Sequence, residues 1–265
     1  AVPHAPAVPA AVPVVPDRSL AWPRGAAWAR LALCGVTWLG VYNVALNEGE
    51  RRVDAGTAAM LVNVGPILLA VLAGLLLREG FPRRLLVGTA VAFVGVVVIG
   101  LATSTRQGAD WTGAALCVVA AVGYAIGVVA QKPVLRDVSA LRVTWLASAV
   151  GAVCLLPYTP GLVRELTAAG PADAAWVLYL GAGPTALAFT TWAYALARTS
   201  AGKQGSTTYL VPPLAVLLGW LLLGETPPLL AFAGGALCLV GVYLSRRRVR
   251  AASPTAEPAV PAVPR

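Results

Sequence analysis

The second half of this chain repeats the first at a fixed offset of 146 residues. LLLREGFP at 75–82 returns as LLLGETPP at 221–228. Pro66 pairs with Pro212, Glu79 with Glu225, Pro82 with Pro228, Gly88 with Gly234 and Gly95 with Gly241. All of these landmarks lie in or beside long apolar runs. A duplicated apolar bundle is a common build of membrane proteins that alternate between two arrangements.

Eight runs are long enough, or nearly so, to cross the ~30 Å hydrocarbon layer: about 28–46, 57–77, 85–102, 112–131, 143–158, 174–197, 204–223 and 229–245. With 58% hydrophobic and 12% charged residues, the chain lacks a soluble composition. Lipid offers no partner for an unpaired peptide group, and the period-2 pattern of a barrel strand is missing, so the spans are expected to be helices. The fold expected is an all-α membrane protein of about eight transmembrane helices, forming two inverted repeats of which the first is incomplete. The repeats are placed at 27–103 and 110–246. The Ala/Val/Pro-rich tails at 1–26 and 247–265 read as disordered.

A net charge of +9 could suggest nucleic acid, but the cations sit in alternating loops and no basic face is interleaved with aromatics. Counting the N-terminus and every second loop as one side, that side carries sixteen Lys and Arg and the other only Arg51, Arg52, Arg106 and Arg164. Such a bias places both termini in the cytoplasm of a multi-pass protein of the inner or plasma membrane. It also makes the repeats inverted. The 78–84 loop falls on the cytoplasmic side, and its equivalent at 224–228 falls outside. The expected partners are a small-molecule substrate and the bilayer, with no nucleic acid. Cofactors and metals are not expected, since Cys34, Cys117, Cys154 and Cys238 stand singly in apolar runs and the one histidine is His4.

The two proline-containing spans share a stripe with spacings of 4, 3, 4 and 3: Ala59, Asn63, Pro66, Ala70, Ala73, and then Gly205, Tyr209, Pro212, Val216, Gly219. Each set lies on one face of a helix. Pro66 and Pro212 should kink their helices and free a carbonyl one turn earlier, near Val62 and Thr208. Such a carbonyl must be covered by protein or line a wet cavity. The stripe therefore reads either as a substrate-facing surface, with Asn63 and Tyr209 as hydrogen-bonding groups, or as a packing seam. Asn43 and Tyr124 lie deep enough to face the bundle, as interhelical bonds or as substrate contacts. Glu79 and Glu225 end the proline helices, as caps, as ion-pair partners (Arg83 or Arg84 for Glu79) or as coupling acids. Gly88, Ala92 and Gly95, with Gly234, Cys238 and Gly241, form small-residue ridges for close packing.

These stretches resemble the EamA-type family of the drug/metabolite transporter superfamily. The likeness rests on DAGTAAMLVNVGPILLAVLAGLLLREGFPRRLLVGTAVAFVGVVVIG, on GKQGSTTYLVPPLAVLLGWLLLGETPPLLAFAGGALCLVGVYL and on TGAALCVVAAVGYAIGVVAQKPVL. The resemblance implies a ten-helix, two-repeat carrier of small metabolites, often an exporter of amino acids or related compounds. This chain would lack the first two of those helices. The function expected is secondary transport of small neutral or zwitterionic metabolites by alternating access, not catalysis. The alternatives are a truncated, non-transporting subunit that needs a partner, or a passive pore. A flank left open by the missing helices would favour a homodimer. The sidedness is directly testable. A membrane-impermeant thiol reagent outside cells should reach a cysteine placed at Gln107 but not one at Arg84, and the reverse pattern would contradict inverted repeats.

Overall fold

The computed structural model describes residues 22–104, 110–224 and 226–247. The tails and Glu225 fall wholly or largely outside these residues. Among them the chain forms eight helical rods and no strand. They are α1 (Ala26–Glu50), α2 (Ala55–Leu76), α3 (Arg83–Thr103), α4 (Trp111–Val134), α5 (Ala140–Ala168), α6 (171–198), α7 (Ala201–Leu222) and α8 (Leu229–Arg246). Seven are long and apolar enough to cross a membrane. The eighth, α6, is helical from end to end, but Gly181, Gly183, Pro184 and the Thr190–Thr191 pair dilute its hydropathy. The protein is thus an all-α, multi-pass membrane protein.

One boundary differs from the sequence reading. The fifth apolar span ends at 158 and the sixth starts at 174, yet the helix continues past a 3₁₀ turn at Leu156–Tyr158 to Ala168. Pro157 and Pro160 occupy first-turn positions, where a missing N–H removes no helical bond. They therefore do not end the rod.

The largest helix–helix contact joins α3 to α8, the last helix of each repeat. Gly88 lies against Gly241, and Gly95 against Gly234. Rising numbers on one helix meet falling numbers on the other, so the two equivalent helices run antiparallel. Cys238 Sγ donates to the Ala92 carbonyl at 3.5 Å, and these residues are 146 apart. A repeat position that touches its own counterpart must lie on the local two-fold axis. The absence of Cβ atoms permits the approach, because a methyl on Gly95 would stand 2.5 Å from the Gly234 carbonyl oxygen.

The duplication extends to local backbone. A π turn covers Gly35–Val41 in α1, and another covers Gly181–Thr185 in α6, each starting at an equivalent glycine. Burial, however, is unequal. In α1, Leu31, Cys34, Trp38 and Ala45 are buried, mainly under α4 and α5. In α6 only Ala193 and Leu196 are buried, and in the second half of α7, over 211–222, only Pro212 is. Among the described residues the α6–α7 flank of copy two is therefore bare, whereas the equivalent flank of copy one is covered by α4.

Gly95→Val should force α3 and α8 apart and cost at least ~1–3 kcal/mol, as overpacking of a tight contact does. Gly181→Ala, whose added methyl meets nothing within 4 Å, should leave thermal unfolding in detergent nearly unchanged. Equal destabilisation by both would contradict the assignment of α3–α8 as the organising contact.

Candidate functional site

Both proline-containing rods are broken near their middles. In α2 the first helical half, Ala55–Val62, ends at Asn63, and the second, Gly65–Leu76, begins with Pro66 in its first turn. Pro66 has no N–H to give to the Val62 carbonyl. Ile67 N and Leu68 N both bond the Val64 carbonyl, which leaves the Asn63 carbonyl without its helical donor. In α7, helix Ala201–Ser206 tightens to a 3₁₀ turn at Thr207–Leu210 before Val211–Leu223 resumes, with Pro212 and Pro213 at its start.

The two breaks meet. The Tyr209 hydroxyl donates to the orphaned Asn63 carbonyl at 3.0 Å, across 146 residues. This is a second repeat position touching its counterpart on the local axis. Beside it lies a cavity of about 210 Å³ lined by Tyr42, Val62, Asn63, Pro66, Tyr124, Thr208 and Val211. No lining residue carries a charge. The Tyr124 hydroxyl is buried without a well-formed hydrogen bond. Thr208, on the same cavity wall, already donates its hydroxyl to the Gly205 carbonyl at 2.6 Å. Behind Tyr124 stands an edge-to-face aromatic cluster, with Trp38 at 5.7 Å and Trp192 at 6.2 Å between ring centroids. The Trp192 Nε1–H is likewise buried without a partner.

The structure brings together two of the four substrate-contact residues read from sequence, Asn63 and Tyr124. Tyr209 is fully buried behind the cavity wall, and its hydroxyl is committed to Asn63, so it ties the copies together instead of facing a ligand. The Asn63 side chain turns back, Nδ2 donating to the Ala59 carbonyl at 2.8 Å, which leaves its amide oxygen as the acceptor still open. Asn43 lies elsewhere. Its Nδ2 donates to the Leu39 carbonyl at 2.9 Å, and it lines a separate cavity with Asn47, Glu48, Arg51, Leu155 and Tyr158. Its neighbour Tyr42 reaches the central cavity instead. Consecutive helical residues point about 100° apart, and the π turn just before them shifts the register that a 3.6-residue period assumes.

The stripe in α2 divides along its length. Asn63 and Pro66 line the cavity, whereas Ala70 and Ala73 are buried beyond it. Gly205 abuts Leu69 and Pro66, and Gly202 abuts Ala70 and Leu85. The second half of α2 is thus packed on the first half of α7. The symmetry-related pair, the first half of α2 and the second half of α7, makes no comparable contact. Glu79 was expected as a cap, as a local ion-pair partner of arginine or as a coupling acid. The cap it makes belongs to the other repeat, where its carboxylate accepts from Ala201 N and Gly202 N at 2.8 and 3.2 Å. Glu225, its equivalent, lies outside the described residues.

Comparison with known proteins agrees with this architecture. The EamA-like transporter family matches residues 5–101 and again 111–247. A probable terminal-alkyne amino-acid exporter of Streptantibioticus cattleyicolor is 39% identical over 226 residues, covering 85% of this chain and 75% of the relative. A probable amino-acid metabolite efflux pump of Salmonella typhimurium is 26% identical over 72% of this chain and 67% of its own length. A solved crystal structure shares the fold with a TM-score of 0.66 at 19% identity, over 84% of this chain and 78% of that one. With the family recurring in both halves of a helical bundle built on a local two-fold axis, the chain belongs to the EamA-like transporter family.

Proposed function

We propose that this protein is a secondary transporter of the plasma membrane that exports small zwitterionic or neutral metabolites of amino-acid type, by alternating access to the central cavity. The observation that carries this reading is the Tyr209–Asn63 bond on the local axis. It makes the two broken helices pivot about one point, with the cavity beside that point. The cavity's size suits a molecule of amino-acid dimensions, and its polar groups are hydroxyls and an amide without fixed charge. Such a lining holds a substrate whose own charges are balanced better than one with net charge. The relatives named as amino-acid exporters support the class.

The asymmetry supports the cycle. The packed side of the α2–α7 pair is the side of Arg78, Arg83, Arg84, Arg198 and Lys203. By the positive-inside bias that side is cytoplasmic and both termini lie there. The structure is then the state closed to the cytoplasm and open outward, in which an exporter releases its cargo. Exchange of the two α2–α7 contacts, one forming as the other parts, would give the inward state.

Transport by the protein in proteoliposomes tests the assignment. Tyr124→Phe removes the hydroxyl of a cavity-lining residue, and it should weaken apparent substrate affinity roughly five- to 150-fold while leaving the melting temperature unchanged. Tyr209→Phe should instead lower thermal stability, because it leaves the Asn63 carbonyl without a partner. Normal affinity in Tyr124→Phe, with zwitterions of several sizes tried, would mean that the substrate does not occupy this cavity.

A further inference from the structure

Glu79 sits just past the end of α2, in a turn that is strained. Arg78 adopts φ 56°, the left-handed region, where a side chain is disfavoured by roughly 1–2 kcal/mol. The equivalent position in the second repeat is Gly224, with φ 70°, which takes this conformation freely. Leu77 N and Glu79 N both bond the Ala73 carbonyl, and the Phe81 ring folds back over Gly74. This closed turn aims the Glu79 side chain away from its own helix and across to the start of α7.

There the carboxylate takes two backbone N–H groups that the first turn of α7 cannot satisfy internally. Its negative charge also complements the positive end of the helix. The preceding segment is gripped from its other end. Lys132 Nζ, on α4, donates to the carbonyls of Leu196 and Thr199, which close α6. An anion at the beginning of α7 and a cation at the end of α6 therefore fasten one connection, Thr199–Ser200, to the rest of the bundle. The residues behind it are buried: Ala201 is 0% exposed and Ser206 1%. The sequence repeats the arrangement, since Asp54, Ala55 and Gly56 of copy one correspond to Ser200, Ala201 and Gly202 of copy two. Both Asp54 and Ser200 are side-chain N-caps of their helices. Within copy one, then, Asp54 already caps the start of α2, and in this state Glu79 serves the start of α7 in addition to Ser200.

We propose that Glu79 is a positioning residue of the transport cycle: it latches the start of α7 to the end of α2, and release of this latch is the step that opens the basic side. The latch acts through the α2–α7 seam and touches no substrate. It rests on the alternating-access reading given above, but not on which substrate is carried.

The test reads conformation directly. A reporter cysteine replaces Ala70, which the seam buries at 4% exposure beside Gly202. Its labelling by a membrane-impermeant maleimide is followed in inside-out vesicles that hold the full-length protein without substrate, with the protein lacking the reporter as blank. Glu79→Gln removes the charge. Ala201→Pro removes one of the two donors while leaving Glu79 intact. Proline suits the first helical position, and Ser200, at ψ 147°, is extended as a residue before proline must be. Each variant should label about tenfold faster than the parent, the size expected for loss of charge-assisted hydrogen bonds. The double variant should exceed Glu79→Gln alone only slightly, because both act on one bond set. Unchanged labelling in both single variants, or fully additive effects, would overturn the latch. Faster labelling combined with normal substrate affinity leaves the cavity assignment intact. Unchanged labelling alongside loss of affinity in Tyr124→Phe would sink the latch and spare the cavity.

Discussion

A peptide carbonyl in the middle of a membrane must find a donor, and Pro66 withholds one. From that constraint much of the architecture can be followed. The break in α2 resets its hydrogen-bond register at Val64 and strands the Asn63 carbonyl. Tyr209 supplies the missing proton from the equivalent break in the other repeat. One hydrogen bond thereby satisfies a backbone group, joins the two copies and fixes where both helices can bend. Worth ~1 kcal/mol net when made, it would leave a costly orphan if broken. That difference accounts for a tyrosine buried completely at a position where a rigid bundle would need only an aliphatic side chain.

The α3–α8 contact supplies the complementary element. Its glycine-lined crossing has no room to slide, because backbone meets backbone at Gly88–Gly241 and Gly95–Gly234. A stiff pair on the axis and a broken pair beside it divide the molecule into a part that holds the repeats together and a part that, under the proposed function, changes partners. The broken pair is packed on one side only. An inverted repeat offers two equivalent arrangements of such a pair, and the structure shows one of them.

The duplication, the rods and the small-residue ridges were legible in the sequence because they depend on hydrophobic length and on a fixed spacing, both of which survive in one dimension; that the two ridges meet each other was not. The site was legible only in part. Pro66 and Pro212 disclosed where the helices would break, and Asn63 and Tyr124 could be named as deep polar groups. Tyr42 was hidden because the π turn at Gly35–Val41 displaces the face that Asn43 was expected to occupy. For Tyr209 the choice between ligand contact and packing seam stayed open, because spacing shows which residues share a face, but not whether a hydroxyl is already engaged. The partner of Glu79 was out of reach for the same reason. The nearest cations in sequence, Arg83 and Arg84, drew attention to the loop, whereas its acceptor bonds come from 122 and 123 residues away.

The central claim is that the two α2–α7 contacts are exchanged about the Asn63–Tyr209 pivot. Leu76 with Lys203, and Thr57 with Leu222, are symmetry-related pairs that straddle the two sides. Spin labels at each pair, with distances measured by electron–electron double resonance in nanodiscs, report both sides of one molecule. The account predicts that a transported zwitterion shifts population so that the 76–203 distance lengthens as the 57–222 distance shortens. Distances that rise and fall together, or that ignore a substrate the protein demonstrably carries, would contradict it.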